Sequence, residues 1–375
     1  MINVVKFVTV DTIKQFLAKV TVWSEFLMYI KYLLAGILTL VLTLLFTPVS
    51  MFVAKKIGAI DYPGERRVHL KPIPRLGGVA MYLSFFIVVL LFQHPLTREI
   101  KGLLIGATII LFLGIYDDVK GVSPKLKLAG QILAALVLVF SGYNMQILNI
   151  PGYPGINLGP WGMGYFLVVF WVVSLVNTVN ITDGLDGLAA GICFVACLVL
   201  LWSAIHIVQG QGTEPLMLAA LAGTCLGFLF FNFHPAKVFM GDSGSMFLGF
   251  ALAAISVSGA LKTPVLLSLV LPLLALGLPI FDITFAVIRR KWKGQPIALA
   301  DRGHLHHRLL DRGFTHRQAV LFLYVLSALL GGAALFASVN DWRSATSITM
   351  LVLVVVFALL TSKRPGHATR RGGGK

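Results

Sequence analysis

The chain has 375 residues, of which 57% are apolar and only 12% charged, and its mean hydropathy is +0.88; no soluble globular domain has that composition. The net charge is +16. In a soluble protein such an excess would point to nucleic acid, but in a chain built of apolar runs near membrane-spanning length it marks loops held on one face of a bilayer. Those runs are continuous rather than alternating, which excludes a β-barrel. Cys193, Cys197 and Cys225 all lie inside apolar runs and read as small packing residues, with no disulfide framework.

In chain order, residues 1–31 come first. Lys6, Asp11, Lys14, Lys19 and Glu25 interrupt the apolar residues there, so the segment has no signal-peptide core. It is predicted to be an interfacial helix lying on the membrane. Eleven spans follow, at about 32–54, 76–92, 102–116, 128–142, 161–180, 187–206, 215–232, 244–260, 264–288, 318–338 and 345–361. The predicted fold is therefore an all-α integral membrane protein, a polytopic bundle of about eleven transmembrane helices. Residues 32–361 are expected to form one transmembrane domain, which carries whatever chemistry the chain performs, and 362–375 a basic, disordered tail. Taken alternately, one set of loops plus the C-terminal tail carries 23 Lys and Arg, and the other set plus the N-terminal segment carries 8. This asymmetry puts the first set in the cytoplasm, with the N-terminus outside and the C-terminus cytoplasmic. Asp117, Asp118, Asp183, Asp186, Asp242, Asp301 and Asp311 all fall on that cytoplasmic side, while the other side has little beyond Glu99, Glu214 and Asp341. A transporter needs polar groups distributed through the membrane, and the notable one within a span is Asp282, near the cytoplasmic end of its helix. Polar chemistry gathered at one face favours an enzyme.

Five stretches carry that chemistry. DYPGERRVHLKPIPRLGGVAMY, residues 61–82, is a basic loop punctuated by Pro and Gly that ends in RLGG at the start of a span. GIYDDVKGVSPKLKLAGQ, residues 114–131, sets adjacent carboxylates at Asp117 and Asp118 before Lys120, Lys125 and Lys127, a mixture suited to a metal and a phosphate or to a solvated helix end. In NTVNITDGLDGL, residues 177–188, Asn177, Asn180, Asp183 and Asp186 recur every third position and supply oxygen donors of the kind Mg²⁺ prefers. FNFHPAKVFMGDSGSMFLGF, residues 231–250, puts Asp242 among small residues at a helix start, where it could cap the helix or ligate a cation. ADRGHLHHRLLDRGFTHRQ, residues 300–318, crowds His304, His306 and His307 with Arg302, Arg308, Arg312 and Arg317. The histidines could bind zinc, but the arginines favour an anion such as phosphate.

The motifs DDVKG, NxxNxxDGLDGLA, FMGDSGS and GHLHHRL, in this order over about residues 60–312, closely resemble those of the polyprenyl-phosphate N-acetylhexosamine-1-phosphate transferases. The arginine-rich histidine loop resembles the branch using UDP-N-acetylglucosamine more than the phospho-N-acetylmuramoyl-pentapeptide transferases. The resemblance implies transfer of GlcNAc-1-phosphate from UDP-GlcNAc to undecaprenyl phosphate. The products would be undecaprenyl-diphospho-GlcNAc and UMP, in the first membrane step of a cell-envelope polysaccharide such as teichoic acid, O-antigen or lipopolysaccharide. It implies a bacterial cytoplasmic-membrane location, Mg²⁺ with Mn²⁺ as a substitute, and a homodimer as one assembly seen in relatives. By the same resemblance, Asn180 and Asp242 would hold the metal, and the catalytic pair Asp117 and Asp118 would meet the lipid phosphate. Asp186 would read uracil, while Asp183, Lys71 and the RLGG turn would border the nucleotide. Lys127, His304, His306, His307 and Arg308 would contact the phosphates and sugar. The rival from another class is a transporter of nucleotide-sugar or lipid-linked intermediates.

Overall fold

The computed structural model describes residues 10–63, 71–145, 147–148, 156–158, 162–206, 212–260, 273–292, 294, 304–339 and 341–361. The basic tail, Arg302 and residues 264–272 of the ninth expected span lie outside them. Helices dominate: α1 Val10–Ile57, α2 Gly77–Phe92, α3 Arg98–Lys120, α4 Pro124–Phe140, α5 Met163–Thr182, α6 Leu188–His206, α7 Glu214–Asn232, α8 Gly241–Ala260, α9 Gly277–Trp292, α10 Leu305–Asp311, α11 His316–Ser338 and α12 Trp342–Thr361. Ten of the eleven apolar runs each coincide with one of these helices, and α9 holds the last part of the ninth. Seven of them (α1, α3, α5, α6, α7, α11 and α12) are long and apolar enough to cross a membrane, whereas α2 is apolar but only 16 residues long. Residues 10–31 do not form a separate element, because α1 runs unbroken for 48 residues into the first span.

Small residues set the helix packing. The backbone of α1 lies against that of α7, where a methyl added at Gly223 would fall 2.1 Å from the Gly36 carbonyl oxygen. Threonines on the buried stripe of α1, Thr39, Thr43 and Thr47, return their hydroxyls to carbonyls one turn back, which satisfies them in an apolar setting. All three cysteines are buried and free.

Two short antiparallel pairings, β1 (Ile60–Asp61) with β2 (Ile73–Pro74) and β3 (Ile147–Leu148) with β4 (Ile156–Asn157), close loops on the bundle. The segment after β2 makes the decisive long-range connection. Phe239 N donates to the Pro74 carbonyl, Gly77 N to that of Phe239 and Gly78 N to that of Met240. The RLGG turn is thereby laced to the loop that opens α8.

α3 and α4 are joined by a tight turn in which Gly121 takes φ 75°, Ser123 caps α4 by accepting from the Leu126 amide, and Pro124 starts the helix. The turn folds the first turn of α4 back over the last turn of α3. The C-terminal ends of α3 and α5 and the N-terminal ends of α4, α6, α8, α10 and α11 converge at one end of the bundle. Glu214 lies at the far end of α7 from Asn232 and accepts from the Ser258 hydroxyl at 2.6 Å.

Candidate active site

A cavity of 340 Å³ opens at that end, lined by residues of β1, the RLGG turn, the NTVNITDGLDGL stretch, the α8 loop and the histidine segment. Its floor is ionic. Lys127 bridges Asp117 Oδ2 at 2.6 Å and Asp242 Oδ2 at 3.0 Å. Arg75 reaches Asp118 Oδ1 at 3.1 Å, Asp242 Oδ2 at 3.6 Å and Asp61 Oδ1 at 3.9 Å. Asn180 Nδ2 donates to Asp242 Oδ1 at 2.5 Å and to Ser245 Oγ at 2.9 Å. Three of the five motifs thus meet at Asp242, and the RLGG turn joins them through Arg75.

The paired aspartates have different surroundings. The Asp118 side chain is wholly buried and accepts from Asp242 N at 2.8 Å, Ser243 N at 3.1 Å and Ser243 Oγ at 2.8 Å. Its carboxylate caps the start of α8 and fixes the backbone that carries Asp242. Asp117 accepts from Val122 N at 2.6 Å and faces Lys127. Gly241, at φ 69°, admits this arrangement, since a Cβ there would fall 2.4 Å from Asp118 Oδ2.

The second wall belongs to the DGLDGL turn. Asp183 follows the last residue of α5. Burial pushes its carboxyl up to about 7, Asp242 adds to the rise, and Arg75 opposes it. At pH values between the ordinary carboxylate pKa and about 7, the folded chain therefore retains a proton that the unfolded chain releases, and stability falls as pH rises through that window. We expect the thermal midpoint of the metal-free protein to decline from pH 5 to 7, and the decline to be shallower in Asp183→Asn; equal slopes would contradict the assignment. Asp186 Oδ2 accepts from His234 Nδ1 at 2.7 Å and from Ala236 N at 3.1 Å. Asn232, also lining the cavity, receives the Gly187 amide at 3.0 Å.

The histidine segment divides. His304 donates from Nδ1 to Asp282 at 3.0 Å, and the Leu305 amide donates to the same carboxylate, so the intramembrane acid noted in the sequence anchors this loop. His306 is buried against Gly184 and lowered to about 3, by burial first and then by His307, His304 and His316, so it is neutral at physiological pH. His307 lines the cavity.

Four residues of the sequence reading are placed elsewhere. Arg308 donates to the carbonyls of Leu359 and Leu360 at the end of α12, and Arg312 joins it on Leu359 at 2.7 Å. Arg308 thus caps a helix C-terminus instead of lining the cavity. Arg308→Ala should lower stability by roughly 1–3 kcal/mol and leave nucleotide affinity within about twofold; binding titrations and thermal melts separate the two effects. Lys71 is exposed before β2 and is not among the residues that line the cavity. Asn177, one turn deeper than Asn180, donates to Gln131 Oε1 at 2.7 Å and ties α5 to α4. Arg75, which opens the RLGG turn, lines the cavity; conversely, Asp61, His234 and His316 border or brace it and were not singled out from the sequence. Their signal is weak, because each stands in a quoted motif as an ordinary loop residue.

A helical bundle with a cavity of carboxylates, amides and cations at one end has the build of a multi-pass membrane enzyme. The glycosyl transferase family 4 model matches residues 100–260. The chain is 39% identical over 329 residues to a probable undecaprenyl-phosphate N-acetylglucosaminyl 1-phosphate transferase of Bacillus subtilis, covering 86% of this chain and 90% of the relative. It is 37% identical over 357 residues to the decaprenyl-phosphate N-acetylglucosaminephosphotransferase of Mycobacterium tuberculosis, covering 88% and 87%. With the undecaprenyl-phosphate alpha-N-acetylglucosaminyl 1-phosphate transferase of Escherichia coli the identity is 30% over 330 residues, covering 84% and 87%. The chain belongs to the polyprenyl-phosphate N-acetylhexosamine-1-phosphate transferases of glycosyl transferase family 4.

Proposed function

We propose that this protein transfers GlcNAc-1-phosphate from UDP-GlcNAc to undecaprenyl phosphate, releasing UMP, at the cytoplasmic face of a bacterial inner membrane that its eleven helices span. The observation that carries the reading is a cavity lined by Arg75, Asp183, Asp186 and Asp242, with Lys127 joining Asp242 to Asp117 beside it. Alternating acids and cations at one cavity floor suit two phosphate groups that must be brought together against their mutual repulsion.

Asp117, Asn180 and Asp242 offer only oxygen donors once the Asn180 amide turns its oxygen inward, and this donor set fits Mg²⁺ or Mn²⁺ better than zinc. Asn180 and Asp242 would hold the ion, whose contribution is to neutralise the diphosphate and the leaving phosphate. Lys127 and Arg75 supply the remaining positive charge. An oxygen of the lipid phosphate forms a bond to the β-phosphorus of UDP-GlcNAc, the bond from that phosphorus to the bridging oxygen breaks, and UMP leaves with the oxygen. Asp117, the member of the pair not engaged by the α8 amides, takes the proton of the lipid phosphate. Asp118, spent on the amides of residues 242 and 243, positions Asp242. Asp186 faces the nucleobase, and His307 covers the sugar.

The test is UMP release by purified protein in detergent with undecaprenyl phosphate and Mg²⁺, comparing UDP-GlcNAc, other UDP-N-acetylhexosamines and UDP-MurNAc-pentapeptide. UMP from UDP-GlcNAc supports the reading. UMP from the pentapeptide donor alone would move the protein to the other branch.

A further inference from the structure

Beside Asp186 the cavity wall holds a pair of imidazoles that no motif assigns. The rings of His234 and His316 stack with centroids 4.1 Å apart and planes 14° from parallel. His234 is fixed at both ends: its Nδ1 donates to Asp186 Oδ2 at 2.7 Å, and its carbonyl accepts from Arg317 Nε at 3.0 Å. His316, at the start of α11, lines the cavity; both of its ring nitrogens are buried, and neither makes a hydrogen bond of ordinary geometry among the described residues, although the Asp186 backbone lies near the ring. Leaving such a group unsatisfied is costly, and a buried polar atom facing a cavity is satisfied by what enters it.

We propose that His316 is a direct contact to the base of the nucleotide-sugar. It would donate a ring N–H to one of the two uracil carbonyls that flank N3–H. The inference rests on the reading of the cavity as a UDP-sugar site and adds a specificity-determining residue to it. Uracil presents acceptor, donor and acceptor along one edge. Both identified bonds to Asp186 end on Oδ2, so Oδ1 can accept from N3–H. An acceptor from Asp186 beside a donor from His316 complements two adjacent positions of that edge. Cytosine, with an acceptor at N3 and an amine beside it, would meet like against like. The carboxylate of Asp186 and the nitrogens of His234 and His316 lie within 4.8 Å of one another and could instead hold a cation. Stacked, nearly parallel rings do not converge their nitrogens on one ion without turning, which favours the nucleobase.

The experiment compares wild type, His316→Phe and His316→Gln. Phe keeps the stack on His234 and removes both nitrogens, whereas Gln keeps a donor. The KM for UDP-GlcNAc and the Kd for UMP should each rise about 3- to 10-fold in the Phe variant, as expected for loss of one neutral hydrogen bond, with kcat falling less than KM rises. The Gln variant should recover part of the loss. Replacing a uracil carbonyl by a thiocarbonyl, in 2-thio-UMP or 4-thio-UMP, should weaken binding to wild type for one of the two and leave the Phe variant indifferent to it. Unchanged KM and Kd in the Phe variant would overturn the proposal. So would stoichiometric Zn²⁺ binding that needs His316 while UMP affinity does not. If wild type itself released no UMP from any UDP-sugar, the reading of the site would fail, a result distinct from equal constants in active proteins.

Discussion

Asp242→Ala is expected to lower turnover by about three orders of magnitude while the bundle stays folded. Asp242 is where the site's donors and cations converge: Asn180 at 2.5 Å, Lys127 at 3.0 Å and Arg75 at 3.6 Å all address its carboxylate. Removing it takes away an oxygen proposed to hold the metal and leaves two cations near one another with one fewer acid to hold them. The helix start itself is retained, because the amides of residues 242 and 243 are capped by Asp118, which the substitution does not touch. Measurement of UMP release across a Mg²⁺ titration, beside a thermal melt, checks both halves. Full activity at low Mg²⁺ would contradict the metal assignment.

The second large effect is expected from a residue with no polar atoms in its side chain. A methyl at Gly114 would fall 2.3 Å from Ser243 Cα and 2.5 Å from Ser243 N, both backbone atoms that cannot rotate aside. Gly78 makes the same demand from the other flank, with a Cβ 2.1 Å from Gly244 N. The α8 loop is therefore clamped between α2 and α3 at distances only glycine permits. Gly114→Ala should displace the loop by a few tenths of an ångström or more, costing about 1–3 kcal/mol of stability and about 100-fold in turnover. Gly332→Ala is the control: it lies inside α11, nothing stands within 4 Å of its added Cβ, and it should be neutral or mildly stabilising. Equal turnover in Gly114→Ala and Gly332→Ala would show that the clamp does not position Asp242.

The helices were legible because apolar runs of membrane length have few other meanings, and the acids were legible because the chain spends so few of them. The details that escaped the sequence depend on tertiary contact. A three-residue step on a helix of 3.6 residues per turn drifts around the axis, so Asn180 and Asp183 reach the cavity while Asn177 turns to Gln131. The histidine–arginine cluster reads as one anion site, yet the short helix α10 sends His306 under Gly184 and Arg308 to the end of α12. Arg75 becomes part of the site only through the pairing of residues 74–78 with 239–240, across more than 160 positions of sequence. Asp117 and Asp118 look equivalent side by side in the sequence, and only the folded chain shows that one caps α8 while the other faces Lys127. Residues 1–31 read as an interfacial element because of their mixed charge, and charge pattern carries no information on whether a helix continues into the next run.

The most direct measurement follows the β-phosphate. With undecaprenyl phosphate, Mg²⁺ and UDP-GlcNAc labelled at the phosphorus bonded to the sugar, the label is predicted to pass into the lipid fraction with GlcNAc while unlabelled UMP is released. Label remaining in released UDP would mean that the sugar moves without its phosphate, and would contradict the account.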